Sequence, residues 1–341
     1  MKALVTGGGG YLGSRIARML YARGDDVVIL GRRQYPEHAK AGIPAIQADL
    51  RDAAAIVKAC EGVDAVFHVG AFVGIWGRRR IFWDINVNGT KNVLAGCRAH
   101  GVRKLVYTSS ASVVFDEKAL CGVNESQPYA TRYLAAYPET KATAERMILA
   151  ANEPTLATVA LRPHLIWGPG DPHLIPRVIE RARHRRLVQV GDGENLVDVT
   201  YVDNAAEAHL QAADALTATA PCAGRAYFLS QGEPVPLWPW LTEILAAAGV
   251  PKVTEIVSYR RAYRVGALLE VVNRFVPMLR EPRMTRFLAV QLAKSHFFDI
   301  SAARRDLGYQ PRISTAEGVR RLRAWLCASC GRNSSSGSGA G

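Results

Sequence analysis

A chain of 341 residues that is 49% hydrophobic and 21% charged can bury a large core, which excludes a disordered or low-complexity protein. It contains no run of about 18 uninterrupted apolar residues, and Met1-Lys2 leads straight into a strand-like ALVTG, so a cytoplasmic protein with no spanning segment is expected. The formal net charge of +13 would suit nucleic acid, an acidic ligand or an anionic membrane surface, but no helix-turn-helix, zinc or aromatic single-strand platform pattern accompanies it, so no nucleic-acid partner is expected.

In chain order, ALVT, VVIL, PAIQA, AVFHV, KLVYTS and TVALR are strand candidates, separated by amphipathic stretches such as residues 81–100. That alternation predicts βαβ units and a parallel sheet. Between the first strand and the first helix lies VTGGGGYLGSRIARML, a glycine turn that brings unpaired helix N–H groups and the positive dipole end to one point, where a phosphate is favoured. Two glycine registers fit, Gly8-Gly10-Gly13 and Gly7-Gly10-Gly13. The second strand ends in Gly31-Arg32-Arg33, where an NAD-binding chain presents an acid to the ribose hydroxyl. Arginine pairs instead with a 2′-phosphate, so NADP(H) is favoured over NAD(H), unless the two arginines simply face solvent.

Further along, Tyr137 and Lys141 stand four residues apart at the start of a helical pattern, where a phenol and an ammonium address one small volume. After Trp167-Gly168-Pro169-Gly170 the pattern becomes irregular, with prolines between helices and short strands such as AYFLS. The expected architecture is a Rossmann-type α/β domain with a doubly wound parallel sheet over residues 1–168, residues 200–230 returning to it. A smaller mixed substrate lobe follows over residues 169–326, then a disordered Ser/Gly-rich tail over 327–341. Cys60, Cys97, Cys121, Cys222, Cys327 and Cys330 are expected as thiols. Cys327-x-x-Cys330 lacks a second pair or a His partner at zinc spacing, so no metal is expected.

The glycine turn, ADL at residues 48–50, HVGA at 68–71, NVNGTKNVL at 86–94, YTSSASV, Tyr137-x-x-x-Lys141 and LRPHLIWGPGD follow one another in an order that resembles the extended short-chain dehydrogenase/reductases. The C-terminal segment from residue 285 to 326 resembles their 3β-hydroxysteroid dehydrogenase branch, and NLVDVTYVDNAAEAH and LATVALRPHLIWGPGDPHLIPR look most like its bacterial 2-alkyl-3-oxoalkanoate reductases. The resemblance implies Tyr137 as general acid and Ser110 as hydrogen-bond donor to the substrate oxygen, with Ser109 and Ser112 as neighbouring candidates. It also implies that Lys141 holds the nicotinamide ribose and lowers the phenol pKa from its reference near 10. For the cofactor it implies Gly7, Gly10, Tyr11, Leu12 and Gly13 at the pyrophosphate, Asp49 and Leu50 at the adenine side, and Val69, Gly70, Ala71, Asn86, Thr108 and Pro163 elsewhere. Asn86 could equally be a structural cap.

Nucleotide-sugar relatives carry an arginine where GDGENLVDVTYVD has Val197, and their dehydratases place acids just after the catalytic serine or threonine, where this chain has Ala111 and Ser112. A hydrophobic small-molecule substrate is expected instead, since Phe72, Ile75, Trp76, Phe82 and Trp83, then Leu268, Leu269, Val271, Val272, Phe275 and Leu279, supply apolar surface for an alkyl chain or a sterol. Trp76, Ser110 and His164 are the candidate substrate contacts. The alternatives are a 3β-hydroxysteroid or sterol-4-carboxylate dehydrogenase and, from another class, a non-catalytic NADP-binding sensor. Residues 259–288 interleave arginines with bulky apolar residues, so peripheral contact with a membrane or with a pathway enzyme competes with ordinary packing, and a homodimer is left open.

Overall fold

The first strand shows how the core is built. In β1 (Lys2–Thr6), Ala3, Leu4 and Val5 are all fully buried, Ala3 and Val5 on one side and Leu4 on the other. A strand apolar on both faces needs a helical layer above and below it, which is the condition for a parallel sheet. A computed structural model, which describes residues 1–275 and 281–335, meets that condition. With β2 (Asp26–Gly31), β3 (Ala45–Gln47), β4 (Ala65–His68), β5 (Lys104–Thr108) and, after β6 (Leu120–Val123), which lies outside this sheet, β7 (Ala157–Pro163), the main sheet has seven strands in the order Arg225–Leu229, β7, β5, β4, β1, β2, β3, every pair parallel. Helices Tyr11–Ala22 and Val202–Ala215 cover one face, and Ala53–Ala59, Gly89–Ala99 and Ala136–Ala150 the other. The strand order reverses between β1 and β4, which opens a crevice at their carboxyl ends.

The smaller lobe has its own mixed sheet, Val235–Pro236, Leu196–Val197, His296–Phe298 and β6, so one strand from the first half of the chain belongs to this sheet and not to the main one. Two local differences from the sequence reading stand out. The amphipathic stretch over residues 81–100 is helical but includes a π-helical turn at Trp83–Asn88, a wider turn that side-chain periodicity does not reveal. Helix Thr315–Ser335 extends past residue 327, the expected start of the tail. Cys327 is an exposed free thiol, while the side chain of Cys330 and all of residues 336–341 lie outside the described residues, as do Leu279 and Arg280.

Candidate active site

The glycine turn begins directly after β1. Gly7 has φ +66°, and a Cβ there would lie 2.6 Å from the Gly70 Cα, so the turn and the loop after β4 approach backbone to backbone. A Cβ on Gly13 would stand 2.3 Å from the Gly7 carbonyl oxygen, so the helix can start this close to the strand only without a side chain. The turn is closed by Gly7 N donating to the Leu30 carbonyl at 2.7 Å and Gly10 N to the Gly7 carbonyl at 2.8 Å. Helix Tyr11–Ala22 has neither a side-chain cap nor an acid in its first turn, which leaves its N-terminal N–H groups and positive dipole end for an anion. Above Gly10 a Cβ would meet only the Gly7 carbonyl, at 3.0 Å. This cradle fits the pyrophosphate of a dinucleotide.

Helix Ala136–Ala150 carries Tyr137 and Lys141 on its first two turns. Lys141 is 2% exposed, donates to the Thr108 carbonyl oxygen at the end of β5 (2.5 Å) and lies 4.1 Å from the centre of the Tyr107 ring. Burial lowers its pKa from 10.5 to about 7, the Glu145 carboxylate one turn on pulling the other way. Tyr137 is partly exposed at its surface, and Ser110 lies near enough to its phenol to favour the charged form. Its pKa is pushed up to about 12, because burial outweighs that influence. Desolvation dominates at the phenol, and the Lys141 ammonium is engaged by the Thr108 carbonyl at the end of β5. Ser110 also caps the short helix Ala111–Val114 through Ser112 N, and its Oγ is 2.9 Å from Ser112 Oγ, so Ser110 and Ser112 form one hydroxyl pair. Ser109 is buried, and its hydroxyl has no partner among the described residues.

The remaining candidates divide by what their side chains are doing. Val69, Gly70 and Ala71 form the crevice edge after β4, and Thr108 and Pro163 end β5 and β7. Tyr11, next to Gly10, has its hydroxyl buried without a partner among the described residues, and Leu12 is buried. Arg32 and Arg33 are exposed past the end of β2, with no ion pair among the described residues. Asp49 is held by Arg51 at 2.8 Å and, mainly through that bond, titrates near 2. Leu50 packs beneath Gly70 and Gly89. The Asn86 amide is a clip: its Oδ1 accepts from Phe72 N at 2.7 Å, and its Nδ2 donates to the Phe72 carbonyl and to Thr140 Oγ1, both at 3.1 Å, tying the loop after β4 to the Tyr137 helix. Trp76 sits half-buried on that loop. His164 is enclosed at 4% exposure, bonded to His296 Nδ1 at 2.7 Å and packed edge-on to Phe115, so the structure places it in packing rather than at an open surface.

Three features escaped the sequence. Tyr35 crosses between the glycine turn and the end of β2: a Cβ on Gly9 would fall 1.8 Å from its ring, and one on Gly31 2.3 Å from its hydroxyl. Glu145 and Arg162, 2.6 Å apart and both buried, pin the Tyr137 helix to β7, with Tyr129 donating to the same carboxylate at 2.6 Å. The Lys141-x-x-x-Glu145 spacing was their one visible sign. His68 bridges Thr6 (2.7 Å) and Thr90 (2.9 Å); burial, helped by the Lys141 charge, lowers its pKa to about 3 and keeps it neutral.

Residues 4–258 match the model of the 3-beta hydroxysteroid dehydrogenase/isomerase family. The chain belongs to this family. Among curated members it is 51% identical over 331 residues to the 2-alkyl-3-oxoalkanoate reductase of Stenotrophomonas maltophilia, covering 95% of this chain and 99% of that one. It is 48% identical to the protein of the same name from Shewanella oneidensis, over 95% and 86% of the two chains. The sterol-4-alpha-carboxylate 3-dehydrogenase, decarboxylating, of Mus musculus is 34% identical over 94% and 89%. Among solved structures, gox2253 superposes with a TM-score of 0.77 at 26% identity, covering 96% of this chain and 98% of that one. MoeE5 in complex with UDP-glucose and NAD gives 0.75 at 25%, over 97% and 100%. Family members named reductases and dehydrogenases, joined to this fold, make the chain an oxidoreductase of the extended short-chain dehydrogenase/reductase type.

Proposed function

We propose that the chain reduces the 3-keto group of a 2-alkyl-3-oxoalkanoate to the 3-hydroxy acid with NADPH. The observation that carries the reading is a single helix start holding two groups on the carboxyl-end side of the sheet, where the glycine cradle also lies: a phenol near Ser110 and an ammonium bonded to the last carbonyl of β5. A bound nicotinamide dinucleotide supplies the hydride for the carbonyl carbon. The geometry supports the following roles for the chain's own residues. Gly7 and Gly13 let the turn and the helix start pack closely, Gly10 leaves room for the pyrophosphate, and Arg32 and Arg33 are free to pair with a 2′-phosphate. Ser110 orients the substrate oxygen while Tyr137 donates its proton to it. Burial keeps that phenol protonated across the physiological range, as an acid catalyst requires. Lys141, poised near neutrality, favours the phenolate left behind and can return a proton to it.

The two relatives at about half identity support the 2-alkyl-3-oxoacid over the sterol, whose relative stands at 34%. A sensor has no need of a buried Tyr-Lys pair, which favours a catalyst. Purified protein with NADPH, assayed by loss of reduced-nicotinamide absorbance against a long-chain 2-alkyl-3-oxoacid, a 3-oxosteroid and a small polar ketone, should turn over the first. Because 3-oxoacids lose carbon dioxide in solution, the 2-alkyl-3-hydroxyacid with NADP⁺ provides the reverse check. Activity confined to the small ketone would overturn the lipid reading.

A further inference from the structure

Helix Tyr259–Phe275 buries only Ala262 and Gly266 fully, and a Cβ on Gly266 would lie 2.6 Å from the Thr285 backbone, so its inner face is clamped against the next segment. Every exposed residue from 260 to 275 is either an arginine or a large aliphatic or aromatic residue. Val265, Leu268, Val271, Val272 and Phe275 are exposed, Leu268 by 63% and Phe275 by 78%, rather than lining an enclosed pocket. At 100° per residue these five fall within one arc of about 120°, a continuous apolar stripe. Arg260, Arg261, Arg264 and Arg274 are exposed within or beside that arc and form no ion pair among the described residues. The one acid of the helix, Glu270, is turned inward onto Arg286 at 2.7 Å. Two of the arginines occupy the first turn, which holds no acid and where the helix dipole disfavours cations, so the charge is not there to stabilise the helix.

We infer that this helix docks the protein onto an anionic lipid surface, its basic N-terminal half at the headgroups and its apolar C-terminal half, led by Phe275, in the acyl boundary. Unpaired arginines beside an apolar stripe complement both layers of such a surface. A second copy is a poorer occupant, because a two-fold contact would set the same four arginines of each copy against one another. Among the described residues no helix is long and apolar enough to cross a membrane, so the contact is peripheral. Binding is read without turnover and stands apart from the proposed reaction.

The test is cosedimentation with phosphatidylglycerol/phosphatidylcholine vesicles at low and high salt, and with phosphatidylcholine alone. Wild type is expected to bind the anionic vesicles at low salt and to leave them at high salt. Arg260→Gln/Arg261→Gln/Arg264→Gln should bind roughly 100-fold more weakly, with Leu268→Ser/Phe275→Ser weakened at least about tenfold. Arg183→Gln/Arg185→Gln/Arg186→Gln, an equal loss of exposed charge elsewhere, should bind nearly as wild type. All three variants change exposed side chains and should keep wild-type circular dichroism, and the two arginine variants should also keep NADPH turnover. Equal loss in the third variant would mean adsorption by net charge, and no loss in the second would mean no apolar contact; either overturns the inference. So does wild type remaining in the supernatant at low salt, the outcome if the face meets an acidic protein, or a dimer that dissociates in Leu268→Ser/Phe275→Ser.

Discussion

Removing the Lys141 ammonium should make the cofactor-free protein more stable while stopping catalysis. In the folded chain the amine is 2% exposed and titrates near 7; its reference value is 10.5. Below about pH 7 both states hold the proton and the folded state bears the whole cost of burying it. As pH rises from about 7 to about 10.5 only the unfolded chain still binds it, so stability rises with pH in that window. A shift from 10.5 to about 7, at roughly 1.4 kcal/mol per pH unit, sets the full cost at about 5 kcal/mol. Lys141→Met keeps the length of the side chain and removes the charge, but loses the 2.5 Å hydrogen bond to the Thr108 carbonyl, about 1.5–3 kcal/mol for a charged donor. The variant should therefore be about 1–3 kcal/mol more stable at neutral pH, with a Tm higher by roughly 1–2 °C per kcal/mol for a chain of this size. The decisive quantity does not depend on that offset: between pH 7 and about pH 9 wild type should gain about 2 kcal/mol relative to the variant. Urea unfolding of both proteins without cofactor at the two pH values measures it. A difference that stays constant with pH would refute the claim that a buried, depressed Lys141 is what separates them.

Tyr137→Phe should retain dinucleotide binding, read by fluorescence titration, while turnover falls by about 10²–10⁴-fold, the usual worth of a general acid; near-normal turnover would remove Tyr137 from the role. Arg32→Ala should weaken NADPH far more than NADH, since only NADPH carries the phosphate a guanidinium pairs with, and a wild type that already prefers NADH would contradict the reading of the β2 end. Glu145→Gln leaves Arg162 charged and buried opposite a neutral amide, so chemical denaturation should show a loss of about 3–5 kcal/mol. A loss below about 1 kcal/mol would mean that solvent or a rearranged partner reaches the guanidinium.

Much of this protein was legible along the chain. The glycine turn, the strand before it and the helix after it are consecutive, and so are Tyr137 and Lys141 on one helix start, because a turn that must admit a phosphate and a pair that must share one volume leave few residue choices at few spacings. The alternation of strands and helices carried the sheet in the same way. What the sequence could not specify were quantities that arise only when distant segments meet. Lys141 finds the Thr108 carbonyl 33 residues away, and the resulting burial, not the spacing, decides that its proton is loosely held while that of Tyr137 is tightly held. Glu145 and Arg162 lie on different elements, and Tyr35 reaches Gly9 only because the segment after β2 folds back over the turn. Asn86 and His164 show the limit from the other side: each sits in a motif that suggests ligand contact, yet the amide is spent on Phe72 and Thr140 and the imidazole on His296. The arginine-rich helix at Tyr259–Phe275 has the same amphipathic pattern whether its apolar stripe faces a core or faces outward, and packing alone decided that Leu268 and Phe275 face outward. Periodicity fixes which residues share a helix face; the position of every other element fixes what that face meets.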